Sequence, residues 1–75
     1  MSPGPVSLER AERIARSHAC THCGEYSFKR LVVKAAPKSL REEFKAVWYV
    51  TRVCGVCRHE SELAIDADGD LVLET

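Results

Sequence analysis

Apolar positions recur at helical spacing near the start of the chain. Leu8, Ala11, Ile14, Ala15 and His18 fall within about 100° of one another on a wheel of 3.6 residues per turn. A helix over residues 8–17 is therefore predicted, with that stripe facing the core. Ser7 precedes it as an N-cap, and Val6 is placed to staple against Ala11. Arg10, Arg13 and Arg16 point the other way, where Glu9–Arg13 and Glu12–Arg16 have the i,i+4 spacing of surface ion pairs. The pattern then changes to a period of two. Over residues 26–35, Tyr26 and Phe28 alternate with polar neighbours. Leu31 and Val33 continue the strand after a slip at Lys29-Arg30, which calls for a bulge. Pro37 breaks this strand. Ser39 and Glu42 form a capping box, predicting a short helix at about residues 40–46 whose Leu40 and Phe44 lie over a sheet face. Residues 47–53 have high strand propensity. Val47, Tyr49, Thr51 and Val53 line one side; Trp48, Val50 and Arg52 line the other, with Trp48 read as core. A third strand around Leu63 and Ile65, a turn at 66–70 and a last strand at 71–73 complete the pattern. The acidic turn lacks the full ligand ladder of a calcium loop, so a glycine-containing hairpin turn is expected.

All four cysteines fall in two pairs, Cys20-x2-Cys23 and Cys54-x2-Cys57, separated by thirty residues. Two thiolates three residues apart reach one ion, and two such pairs fill a tetrahedral shell. Gly24 suits the turn after the first pair, where a left-handed backbone is expected. With Cys20, Cys23, Cys54 and Cys57 all serving as ligands, no position remains for water or substrate. One structural Zn²⁺ is therefore expected, and catalysis at the metal is not. His18, His22 and His59 crowd the pairs and are read as neighbours of the sulfurs rather than ligands. There is no Gly-rich phosphate loop and no nucleophile–base–acid set, so the chain is not expected to be an enzyme.

Seventy-five residues make one small domain, too short for a large core, so the metal is expected to supply much of its stability. The expected layout is a disordered start over residues 1–6, where Pro3 and Pro5 exclude regular helix, and a single domain over 7–75. No secretory or membrane-spanning segment is seen, so a cytoplasmic location without membrane attachment is expected, where thiols stay reduced. The net charge is zero but unevenly spread. Residues 1–38 carry seven Lys/Arg and three Asp/Glu, a net +4; residues 39–75 carry four and eight, a net −4. A strong nucleic-acid binder usually shows an overall basic surplus, which is missing here.

The run Cys20-x2-Cys23-Gly24, strand, variable arm, Trp48-Tyr49, Cys54-x2-Cys57 resembles the zinc-ribbon superfamily over about residues 19–65. The layout is similar to the ribbons of transcription elongation factor S-II and of RNA polymerase small subunits. That resemblance implies a small metal-stabilised α+β fold: a four-cysteine zinc ribbon with a three- to four-stranded antiparallel sheet, an N-terminal helix and a short helical insertion. The elongation factor has an Asp-Glu pair at the tip of its arm. Glu42-Glu43 fall in the corresponding arm here without that pair, and they are read as acids near a helix N-terminus. Cys20-Thr-His-Cys-Gly-Glu-Tyr26 also looks like the first knuckle of rubredoxins, iron proteins that carry single electrons. Cys57 is followed by Arg58, however, and the Cys-Pro-x-Cys-Gly form is missing.

The expected function is a non-catalytic binding module with structural zinc that recognises a macromolecular partner, with transcription machinery as the leading candidate; the alternative is a rubredoxin-like electron carrier. Protein is favoured over nucleic acid as the partner, and no small-molecule substrate is expected. Candidate contacts are Arg10, Arg13, Arg16, Lys29, Arg30, Lys34, Leu40 and Phe44.

Overall fold

In the computed structural model, residues 6–74 are described. The tract 1–5, expected to be disordered, and Thr75 lie outside the described residues.

Ser7 is extended (φ −72°, ψ 161°), and its side chain accepts the Arg10 backbone N–H at 3.2 Å. Helix α1 (Leu8–Ser17) therefore starts where the cap predicts. Ala11 and Ala15 are fully buried, and their small side chains bring the helix close to the sheet. Leu8, expected on that face, is instead 46% exposed. Val6 takes its place: it is buried, its N–H reaches the Ala67 carbonyl, and its own carbonyl accepts from the Trp48 indole. Val6 thus belongs to the fold and not to the N-terminal tract in which the sequence reading puts it. The chain entering the helix covers the core at this end and leaves Leu8 outside. Of the two ion pairs expected on α1, Glu12–Arg16 closes at 3.2 Å, and Glu9–Arg13 does not form among the described residues.

The sheet is an antiparallel meander of β1 (Phe28–Ala35), β2 (Ala46–Cys54), β3 (Glu60–Asp66) and β4 (Leu71–Glu74), in that spatial order. Phe28 pairs with Cys54 and Arg30 with Val53, so Lys29 is the extra residue of a bulge at the predicted slip. The strand begins at Phe28 and not at Tyr26. Ser27 is tied by its carbonyl to the Gly55 N–H at 2.8 Å, and Tyr26 is left 64% exposed. Asp66 shapes the β3–β4 turn: its Oδ1 accepts the N–H groups of Asp68 and Asp70, both at 2.9 Å. Gly69, at φ 90°, supplies the left-handed residue there.

Helix α2 (Lys38–Phe44) corrects the capping-box reading. Pro37 holds the N-cap position with φ −65°, no side-chain cap bond forms, and Ser39 lies inside the helix. Proline's fixed φ starts the helix earlier than a serine cap would, and Arg41 N–H bonds back to the Pro37 carbonyl at 3.0 Å. Lys45 at φ 58° ends the helix, and β2 begins at the next residue.

The two sheet faces differ. The inner face packs Val50, Leu63 and Ile65 against Val6, Ala11 and Ala15 of the N-terminal segment, with Ile14, Leu31, Val33, Trp48 and Leu71 at the margin. On the outer face α2 covers one end only. There Leu40 packs with Ala36, Ala46 and Ala64, while Phe44 is half-buried and joins neither cluster. Next to that cluster, the Tyr49 hydroxyl donates to Glu62. This bond and the nearby carboxylates push the Tyr49 pKa up to about 12. Its contribution to stability is therefore fully present below the ordinary value of 10.0 and is lost as pH rises through about 12. In a Tyr26→Phe background, absorbance titration of the folded protein is expected to place phenolate formation near that upper value. Glu62→Ala is expected to bring it down.

Candidate metal centre

Two knuckles of the same shape meet at one end of the sheet. In the first, Cys20 N–H bonds to Glu25 O at 2.7 Å; in the second, Cys54 N–H bonds to His59 O at 3.0 Å. The residue after each second cysteine is left-handed, Gly24 at φ 81° and Arg58 at φ 62°. Gly24 fulfils the sequence expectation, whereas Arg58 adopts the same backbone without glycine's freedom. A left-handed L-residue is strained by roughly 1 kcal/mol. Arg58→Gly is therefore expected to raise stability by up to about 1 kcal/mol, measured as a shift in the urea midpoint of the metal-loaded protein. An unchanged or lower midpoint would mean that the Arg58 side chain contributes contacts of its own.

The Sγ atoms of Cys20 and Cys57 lie 3.6 Å apart, and those of Cys23 and Cys54 lie 3.5 Å apart. All four sulfurs are within 4.8 Å of one another. A tetrahedral ion with metal–sulfur bonds of about 2.3 Å needs sulfurs spaced about 3.8 Å apart, so the cluster fits one metal ion. Backbone N–H groups point at the first sulfur of each pair: His22 N donates to Cys20 at 3.4 Å, and Val56 N and Cys57 N donate to Cys54 at 3.4 and 3.5 Å. These donors favour thiolates. Led by the Cys57 N–H, they bring the Cys54 pKa down to about 6, and the Cys23 backbone N–H leads in lowering Cys20. Cys23 accepts from Glu25 N–H yet is pushed up to about 12 by local desolvation of its sulfur within the cluster and by its three neighbouring thiols, and Cys57 is also raised. Four thiolates this close repel one another, and a metal ion bound among them would offset that charge.

The histidines stay out of this cluster. The rings of His22 and His59 stack on each other, with centroids 5.0 Å apart and an 18° tilt. His18 contributes its backbone carbonyl, and the recipient is the residue that sequence reasoning missed. Arg52 is fully buried on the inner face of β2. Its Nη1 donates to the carbonyls of Ala15 at 2.8 Å and His18 at 2.6 Å, its Nη2 to Ala19 at 3.4 Å, and its Nε to the Ser61 hydroxyl at 3.2 Å. The Phe28 ring lies 4.4 Å from the guanidinium carbon. One side chain thus satisfies carbonyls at the end of α1 and on the way into the first knuckle, locking both to β2. Burial lowers the Arg52 pKa, opposed by Glu74, Cys20 and Cys54. Its signal in the sequence was parity: Arg52 alternates with Val50 and Trp48, on the face that α1 covers.

The candidate partner residues do not form one patch. Arg10 and Arg13 are exposed on α1, and Arg16 is held by Glu12. Arg30 and Lys34 lie across the sheet from them, lining a groove on the outer face with Val32, Thr51, Val53 and Glu60. Lys29 sits in the bulge. Leu40 is half-buried in packing, so less of it is available than the sequence reading implied. Asp66, Asp68 and Asp70 also lie within 4.8 Å of one another, with one Asp66 oxygen occupied by the turn. No helix among the described residues is long and apolar enough to cross a membrane. Comparison of the chain with protein-family models, curated proteins and solved structures finds no match.

Proposed function

We propose that this chain is a zinc ribbon whose single Zn²⁺ is structural and whose surface recognises a macromolecular partner, with protein favoured over nucleic acid. The observation that supports this reading is the donor set: Cys20, Cys23, Cys54 and Cys57 lie within 4.8 Å of one another, and four thiolates suffice to fill every position of a tetrahedral ion. A metal held this way organises two chain segments and offers no site for substrate, so the module is non-catalytic. The separation of Arg10 and Arg13 from Arg30 and Lys34 by the sheet weakens the case for a nucleic-acid groove. Transcription machinery remains the best single candidate for the partner, on the resemblance in layout.

Metal analysis together with an absorption spectrum tests the core of this proposal, on protein purified without added metal. One zinc per chain and no visible band is the expected result. Iron with strong visible bands would replace it with electron transfer, for which the backbone N–H donors to Cys20 and Cys54 would tune the potential. A salt titration against a mixed DNA and RNA oligonucleotide pool tests the choice of partner. Weak binding that disappears at physiological salt is expected, and tight binding that persists would favour nucleic acid.

A further inference from the structure

The outer face of the sheet carries an ordered charge pattern. Strand pairing aligns three residues in each of two rows: Arg30, Val53 and Glu60 in the first; Val32, Thr51 and Glu62 in the second. Lys34 follows on β1, opposite Tyr49. Cations therefore run along β1, carboxylates run along β3, and the floor between them is Val32, Thr51 and Val53. α2 closes the face beyond Tyr49, and the groove between is open. Glu62 is engaged by the Tyr49 hydroxyl, whereas Arg30, Lys34 and Glu60 are exposed.

A partner of one charge sign fits this face poorly. A phosphate backbone lying along Arg30 and Lys34 meets Glu60 and Glu62, and a basic peptide meets the opposite conflict. A fitting partner must present the same pattern reversed from side to side. A second copy of the chain does this when turned about a two-fold axis parallel to β2. Each row then faces its own row. In the first, Val53 meets Val53 and Arg30 of each copy meets Glu60 of the other; in the second, Thr51 meets Thr51 and Val32 meets Glu62, whose charge is engaged by the Tyr49 hydroxyl. A two-fold axis across the strands would set cation on cation, so the charges select one arrangement. We infer that this face is the interface of an isologous homodimer, stacked sheet on sheet.

The contact is small. With α2 covering one end of the strands, the open part, about five residues on each of three strands, offers a face of about 240 Å² at 3.3 Å per residue and 4.8 Å between strands. That places the interface at the weak end of the size range, below about 1,200 Å² of buried surface. Association is therefore expected to depend on concentration and to weaken as salt rises.

The test is sedimentation equilibrium of the metal-loaded protein, over a concentration series reaching the millimolar range at low salt. Wild type is expected to dimerise. Arg30→Glu and Glu60→Arg are each expected to weaken dimerisation about 10-fold or more, because symmetry puts each change at two contacts. Mixing the two variants sets the introduced glutamate of one against the introduced arginine of the other. The native Glu60 of the first then meets the native Arg30 of the second, so the mixture is expected to regain wild-type affinity. Both positions are exposed, and far-UV dichroism with metal content confirms folding of each variant. Amide shifts on dilution of wild type give an independent readout, expected at Val32, Thr51 and Val53 and not on α1. A wild type that stays monomeric throughout would overturn the proposal. So would dimerisation with shifts elsewhere, a mixture that stays as weak as its components, or a single-stranded DNA oligonucleotide that moves these same amides in place of a second copy.

Discussion

Chelation of the metal at neutral pH is expected to unfold the chain, with loss of both far-UV dichroism and amide dispersion. The inner core rests on a few side chains, chiefly Val50, Leu63 and Ile65 against Val6, Ala11 and Ala15. A chain of this length buries only about 60% of its unfolded surface, which leaves little net stability. Metal binding adds on the order of 10 kcal/mol, available only when both knuckles are in place. The most informative variant is Cys23→Ser. Cys23 is exposed, so losing its sulfur removes little packing, whereas Cys54 is fully buried at the end of β2. If packing dominates, Cys23→Ser is mild and Cys54→Ser is severe. If the metal dominates, both unfold the chain at 25 °C, and that is the expected outcome. A folded, metal-free Cys23→Ser protein would remove the metal from any structural role.

Arg52→Met is expected to have the second-largest effect, a loss of at least about 3 kcal/mol in the metal-loaded protein. Methionine keeps much of the volume and removes every donor. The Ala15, His18 and Ala19 carbonyls and the Ser61 hydroxyl then lose the partner they share. Three of these acceptors lie at the end of α1 and just beyond it, so the damage should be local as well as global. Hydrogen exchange should speed up first in the last turn of α1 and in the Cys20 knuckle. Arg52→Lys is expected to recover roughly half of the loss, since an ammonium supplies charge without the planar fork. Full stability in Arg52→Met, measured by urea unfolding, would show that water replaces the guanidinium.

Arg52 also shows where reading the chain in one dimension stops. Alternation along β2 puts Arg52 beside Val50 and Trp48, yet charge argues for solvent. Only the docking of α1 decides between them, because its terminal carbonyls arrive from residues 15–19 to meet the side chain. The same holds for Val6 and Leu8. Helical periodicity places Leu8 inward, but what covers the core at that end is set by Trp48 and Ala67, more than forty residues away in sequence. Tyr26 has the alternation of a strand residue, and the bond between Ser27 and Gly55 in the second knuckle holds it outside the sheet. The serine cap of α2 was a sound local signal displaced by an equally local one, the fixed φ of Pro37.

What the sequence determined by itself is what short-range geometry controls. The Ser7 cap, the Ala11, Ile14 and Ala15 part of the α1 stripe, the bulge at Lys29, the strand over 47–53 and the Gly69 turn each follow from backbone and side-chain preferences within a few residues. The cysteine spacing belongs with them, because two residues between thiols is a local requirement of a shared ion. Tertiary structure alone decided which sheet face α1 covers, and so the burial of Arg52. It also decided that Arg30 and Lys34 lie across the sheet from Arg10 and Arg13, and that these β1 cations and Glu60 of β3 flank one open groove. Those outcomes depend on strand order and on which layer each element joins. They are settled by burying apolar area between segments far apart in the chain, which no local pattern encodes.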